Sequence, residues 1–78
     1  MEWLDQLAAT LGVDPLGPEE MDDLLDAARD VAHGVERKVT PLAAFQLGMS
    51  VERRMAAGAD RAEALAAATA DLRTTLPS

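Results

Sequence analysis

The only histidine of the chain, His33, lies among charged residues at helical spacing. Arg29, His33 and Arg37 recur every four residues, so on one helix they would share a face, with Asp30 and Glu36 beside them. An imidazole titrates near neutral pH and can transfer a proton, and guanidinium groups can hold an anion. The cluster is compatible with an anion or nucleotide site. A solvated helix face is the simpler interpretation, since surface ion pairs at this spacing are common.

A second charged group consists of carboxylates along the same segment, namely Asp22, Asp23, Asp26 and Asp30. Magnesium and calcium sites need several oxygens that converge on one point, and residues along a straight helix do not converge. We therefore expect a solvated face here, with a patch for a basic partner as the alternative. One histidine and no cysteine exclude the usual zinc sites, so no metal site is predicted.

Catalytic groupings are missing from the sequence. It contains no glycine-rich phosphate loop, no paired catalytic carboxylates and no Ser/His/Asp set. A chain of 78 residues also leaves little room for a deep pocket. We predict no catalytic residues, no cofactor and no enzymatic activity.

Three arginines, Arg53, Arg54 and Arg61, surround the turn before the last predicted helix, which raises a helix-turn-helix alternative. That helix is rich in alanine, and its two bases, Arg61 and Arg73, are matched by two acids. The net charge is −7, and it arises in residues 1–30, which carry nine acids and one base. Because nucleic acids and anionic membranes attract clustered Lys and Arg, neither is an expected partner.

No apolar run approaches the roughly 20 residues that span a bilayer. The first residues, MEWLDQ, lack the basic region of a secretory signal peptide. We therefore expect a cytoplasmic location.

The periodicity of apolar residues predicts four helices and short turns. They cover residues 2–11, residues 18 to 38 or 39, residues 41–57 and residues 61–74. Gly12 would end the first helix, Thr40 would cap the third, and Asp60 with Glu63 forms a capping box before the fourth. The predicted fold is all-α, a compact four-helix bundle that forms a single domain over residues 1–78.

The third predicted helix is apolar almost all round. Leu42, Phe45 and Met49 mark one face, and Leu47 and Val51 mark another. Because such a helix is normally buried, we expect it at the centre of the bundle, enclosed on nearly every side. A homodimer that covers these faces explains the same pattern.

Two segments, WLDQLAATLGVDP and LLDAARDVAHGVERKVTPLAAFQLG, resemble a small helical domain of unknown function from high-GC bacteria. That domain occurs alone or fused behind the nucleotidyltransferase that makes molybdopterin-guanine dinucleotide. The resemblance runs from Trp3 to Gly48 and implies a role near molybdenum-cofactor maturation. Here Lys38-Val39-Thr40 replaces a segment that is more often Ala-rich or Pro-containing. The matched positions that the resemblance singles out are Arg29, Asp30, His33, Glu36, Arg37 and Pro41.

Two functions are consistent with these observations. The first is a non-enzymatic accessory or protein-interaction domain, which the resemblance links to molybdenum-cofactor biosynthesis and to the nucleotidyltransferase as partner. The alternative is a small anion- or nucleotide-binding module on the face of Arg29, His33 and Arg37.

Overall fold

A computed structural model describes residues 1–77; Ser78, the last residue of the predicted domain, lies outside the described residues. The elements are four helices and one 3₁₀ turn, and residues 1–77 contain no strand. They are α1 (Glu2–Leu11), α2 (Pro18–Gly34), the 3₁₀ turn (Arg37–Val39), α3 (Thr40–Ala56) and α4 (Arg61–Thr74). The prediction of an all-α, four-helix fold is confirmed.

Local sequence signals set two of the helix ends. Gly12 adopts the left-handed conformation, with φ 71° and ψ 33°, and the next N–H, of Val13, donates to the carbonyl of Ala8 at 2.9 Å. The carboxylate of Asp60 accepts the N–H of Glu63 at 2.8 Å, which satisfies one of the free donors at the start of α4. Both ends follow the predictions.

The boundary between α2 and α3 differs from the prediction. Helix α2 ends at Gly34 and not near Lys38, because Val35 leaves the helical conformation and Glu36 is extended. Glycine has a low helix propensity, and the 3₁₀ turn that follows runs directly into α3. Thr40 is the first residue of α3, not its side-chain cap, and its hydroxyl is buried without a hydrogen-bond partner among the described residues.

The core is small and lies mainly on α4. Leu47, Leu65 and Ala68 form its centre, and three half-buried residues, Leu24, Val51 and Leu72, pack against them. Helix α4 contributes four buried residues: Ala64, Leu65, Ala68 and Thr69. The hydroxyl of Thr69 donates to the carbonyl of Leu65 at 2.9 Å, so this buried polar group is satisfied within its own helix.

Helix α3 packs against α2, the 3₁₀ turn and α4, but only one of its faces is covered. Leu47 is buried, whereas Leu42, Phe45 and Met49 are 65%, 72% and 57% exposed. The expectation that α3 is enclosed on nearly every side is therefore wrong. The physical reason is the position of α1, which makes no close backbone approach to any other helix among residues 1–77.

Candidate functional site

A wide groove opens between α2, α3 and the connector that joins α1 to α2 (residues 12–17). It encloses about 1270 Å³, and its floor includes the buried residues Ala27, Val31, Leu47 and Leu65. Large apolar side chains with high exposure line it: Leu11, Val13, Leu16, Leu25, Phe45 and Met49. We call this site the apolar groove.

The size and lining of the apolar groove suit a protein surface better than a small molecule. Small-ligand sites usually enclose about 300–1,000 Å³ and place a few polar groups so that they converge on the ligand. Here polar side chains such as Asp14, Glu52 and Arg53 are scattered among apolar ones. A contiguous exposed apolar surface with scattered polar residues is typical of protein-protein contact sites.

One arginine fixes the connector that forms a wall of the apolar groove. The guanidinium of Arg61, at the start of α4, donates to both carboxylate oxygens of Glu20, with Nη2 to Oε1 at 2.6 Å. It also donates to the backbone carbonyls of Asp14 at 3.0 Å and Pro15 at 2.6 Å. Arg61 thus ties α4 to the connector and to the first turn of α2.

These hydrogen bonds shift both side chains toward their charged forms. The bonds from Arg61, followed by the N–H of Gly17 at 2.8 Å, lower the pKa of Glu20 below its usual value of 4.5. The same pairing raises the pKa of Arg61. Glu20 and Arg61 are therefore an ion pair across the whole neutral and mildly acidic range.

This role of Arg61 differs from the helix-turn-helix alternative that its position before the last helix suggests. Glu20 is 41 residues away, and nothing in the spacing joins the two. One signal was present: a cation at the first position of a helix is disfavoured by the helix dipole. A base placed there is expected to have a partner elsewhere.

The residues predicted for an anion site are tied to different neighbours. Arg29 contacts Asp26 at 3.5 Å, both on the exposed face of α2. Asp30 accepts from Nε of Arg73 on α4 at 2.9 Å, which links the two helices. A third pair joins Glu36 to Lys38 at 3.5 Å.

The predicted face of Arg29, His33 and Arg37 is interrupted by the end of α2. His33 is exposed in the last turn of that helix, whereas Arg37 belongs to the 3₁₀ turn. Pro41 is exposed in the first turn of α3. The premise that three bases repeat along one continuous helix is therefore wrong, although the side chains remain accessible.

Two of the three arginines of the helix-turn-helix alternative bind carboxylates of this chain. Arg54 donates to Asp71 of α4 and, through Nε, to Ser50 at 3.3 Å. Arg61 is occupied by Glu20, as described above. These contacts leave Arg53 as the exposed base of that group.

Two further findings concern the described residues 1–77. No three carboxylate or imidazole side chains lie together as a metal-binding group. No helix in this part of the chain combines the length and apolar character needed to cross a membrane.

Fold and surface together define a small acidic helical domain with an open apolar groove. The chain belongs to the family described as Domain of unknown function (DUF6457), whose model matches residues 1–77. No curated protein and no solved structure matches the chain.

Proposed function

We propose that this chain is a non-enzymatic protein-interaction domain that binds a partner through the apolar groove. The observation that carries the proposal is the amount of surface left open. The chain exposes 5797 Å². A folded monomer of 8.3 kDa is expected to expose about 4,600 Å². The difference, about 1,200 Å², exceeds the roughly 800 Å² that one partner buries in an interface of ordinary size.

Exposed apolar side chains of the groove contribute to this open surface. Five of them are more than half exposed: Leu11, Val13, Leu25, Phe45 and Met49. Covering these side chains is worth several kcal/mol at about 25 cal/mol per Å², before the costs of association. The groove can therefore support binding of a protein.

The resemblance of residues 3–48 supports a particular partner, the nucleotidyltransferase that makes molybdopterin-guanine dinucleotide. This domain would then act in molybdenum-cofactor biosynthesis as an accessory to that enzyme, in the cytoplasm.

Leu25 is the residue chosen for mutation, because it lies on α2 at the rim of the apolar groove and is 64% exposed.

The experiment is a calorimetric titration of the nucleotidyltransferase from the same genome with this chain and two variants. Leu25→Lys places a charge in the apolar groove and should weaken binding by at least about tenfold. Val35→Lys is the matched control, since Val35 is 55% exposed and lies outside the groove. Absence of binding at about 50 µM, or equal affinities for the two variants, would refute the proposal.

The alternative function is anion or nucleotide binding on the face of Arg29, His33 and Arg37, and it ranks second. Its support is the accessibility of the three side chains. Against it stand the pairing of Arg29 with Asp26 and the helix end before Arg37. NMR titration of His33 with phosphate and with a guanine nucleotide tests it. Unchanged chemical shifts of the imidazole exclude this function.

A further inference from the structure

The folded chain is flat, and the apolar face of α3 on one of its broad sides is exposed. Its principal extents are 37 × 29 × 19 Å. The shortest is about two helix diameters. The radius of gyration is 12.7 Å, against about 11.5 Å for a compact chain of this length. Two such flat chains stacked face to face would form a body of nearly equal dimensions.

The outer face of α3 has the features of a helix-helix contact. Leu42, Phe45 and Met49 lie along it, three and four residues apart, all more than half exposed. Ala44 and Gly48 lie beside them, and a Cβ added at Gly48 would meet no atom within 4 Å. Small residues between large apolar ones let another helix approach closely.

Charge indicates which kind of partner this face can accept. Among its exposed residues only Glu52 and Arg53 are charged, and their charges cancel. The acidic residue Asp22 lies three residues before Leu25 on the same side of α2, so carboxylates border the α2 side of the apolar groove and not the outer face of α3. A neutral apolar surface offers no selectivity for an acidic or a basic protein. It can pack on an identical surface without repulsion, despite the net charge of −7.

We infer that the outer face of α3 packs against the same face of a second copy, so that the chain is a homodimer related by a two-fold axis. This inference rests on the proposed function, since both place a protein on the apolar groove. The dimer uses the α3 side, with Phe45 and Met49, and leaves Leu25 on the α2 side for the other partner. The excess surface of about 1,200 Å² per chain exceeds the roughly 800 Å² that one copy buries in an interface of ordinary size, so it is enough for the dimer and leaves about 400 Å² toward the contact with the other partner.

Sedimentation velocity at concentrations from about 1 to 500 µM tests the inference. The native chain is expected to sediment as a species of twice 8.3 kDa, with a dissociation constant of the dimer below about 50 µM. Phe45→Lys places a like charge on each copy at the contact and should raise that constant at least about 30-fold. It also reduces the net negative charge, so a loss of dimer cannot be attributed to general repulsion.

Two further variants keep the test independent of folding. Trp3→Lys makes the same change of charge on α1, at a position that is 60% exposed and lies outside the apolar groove, and should leave the dimer unchanged. Gly48→Gln adds a bulky side chain at the contact, but it replaces a helix breaker with a helix former in open space. We expect this variant to remain helical by circular dichroism and to be monomeric.

A native chain that is monomeric at 500 µM overturns the inference. So does a Phe45→Lys or Gly48→Gln variant that dimerises as tightly as Trp3→Lys. If the native chain is monomeric yet binds the nucleotidyltransferase, that enzyme occupies the groove and only the dimer is wrong. If the chain is dimeric and binds no nucleotidyltransferase, the dimer stands and the proposed partner is wrong.

Discussion

Replacement of Arg61 by methionine should destabilise the domain far more than the loss of an ordinary surface arginine. The substitution keeps most of the side-chain stem and removes the donors to Glu20, Asp14 and Pro15. Arg61 is 29% exposed and Glu20 18%, so the pair lies between the surface and buried cases. Surface pairs contribute about 0.2–1 kcal/mol, and breaking a buried one costs about 3–5 kcal/mol.

An intermediate value of about 1.5–3 kcal/mol for the ion pair is reasonable. The two carbonyl bonds add about 0.5 kcal/mol each, because water can replace the arginine at these exposed residues. The total loss is about 2.5–4 kcal/mol. A chain of 78 residues is expected to have a free energy of unfolding of about 4–12 kcal/mol. One side chain thus carries a large share of the stability.

The assay is thermal and urea unfolding followed by circular dichroism at low protein concentration. A loss of about 2.5–4 kcal/mol lowers Tm by about 15–25 °C for a domain of this size. Arg53→Met is the control, since Arg53 is an exposed arginine, and its loss should change the free energy of unfolding by less than about 0.5 kcal/mol. Combining Arg61→Met with Glu20→Gln should cost little more than Arg61→Met alone, because the two residues act as one unit.

The difference between the native chain and Arg61→Met should depend on pH. The pKa of Glu20 in the folded chain lies below its usual value of 4.5, so between these two values the unfolded chain binds more protons. The stability from this carboxylate is fully present above about pH 4.5 and is lost as the pH falls through the folded value. Equal Tm values for the two chains at pH 7, or a difference that stays constant down to pH 3, would refute the reasoning.

Other substitutions test the core and the helix ends. Leu65→Ala should cost about 2–5 kcal/mol in urea unfolding because Leu65 is buried in the core, whereas Val35→Ala at an exposed position should cost far less. Asp60→Ala should lower Tm by a few degrees and Asp60→Asn should not, since only the former removes the acceptor for the N–H of Glu63; similar Tm values would mean that the cap is unimportant. Gly12→Ala should cost about 1 kcal/mol through backbone strain at φ 71°, with no clash; a stabilised variant would contradict the left-handed helix end.

Local signals made the helices predictable. The left-handed glycine after α1 and the capping box before α4 act through neighbouring backbone groups, so their effect can be read from a few residues. The end of α2 was not predictable in the same way. The apolar pattern continues through Val35 and Val39, and the periodicity does not reveal that the backbone leaves the helix at Gly34.

The apolar groove and the contacts of Arg61 could not be predicted from the sequence, for a different reason. A helix that is apolar all round has the same pattern whether its own chain covers it or another molecule does. The exposed Phe45 distinguishes the two cases only once the neighbouring helices are in place. Likewise, the link from Arg61 to Pro15 spans 46 residues and depends on how α4 packs. The resemblance indicated a family but did not indicate which surface of the domain binds a partner.

The alanines at the centre of the bundle have a thermodynamic consequence. Ala27, Ala64 and Ala68 are almost fully buried, so the helices they join lie close together, yet each contributes only a methyl group. Unfolding therefore releases little apolar surface to water, and both the heat-capacity change and the urea dependence should be low for a chain of this length. The free energy of unfolding then changes slowly with temperature. The melting midpoint is therefore unusually sensitive to any molecule that binds only the folded form.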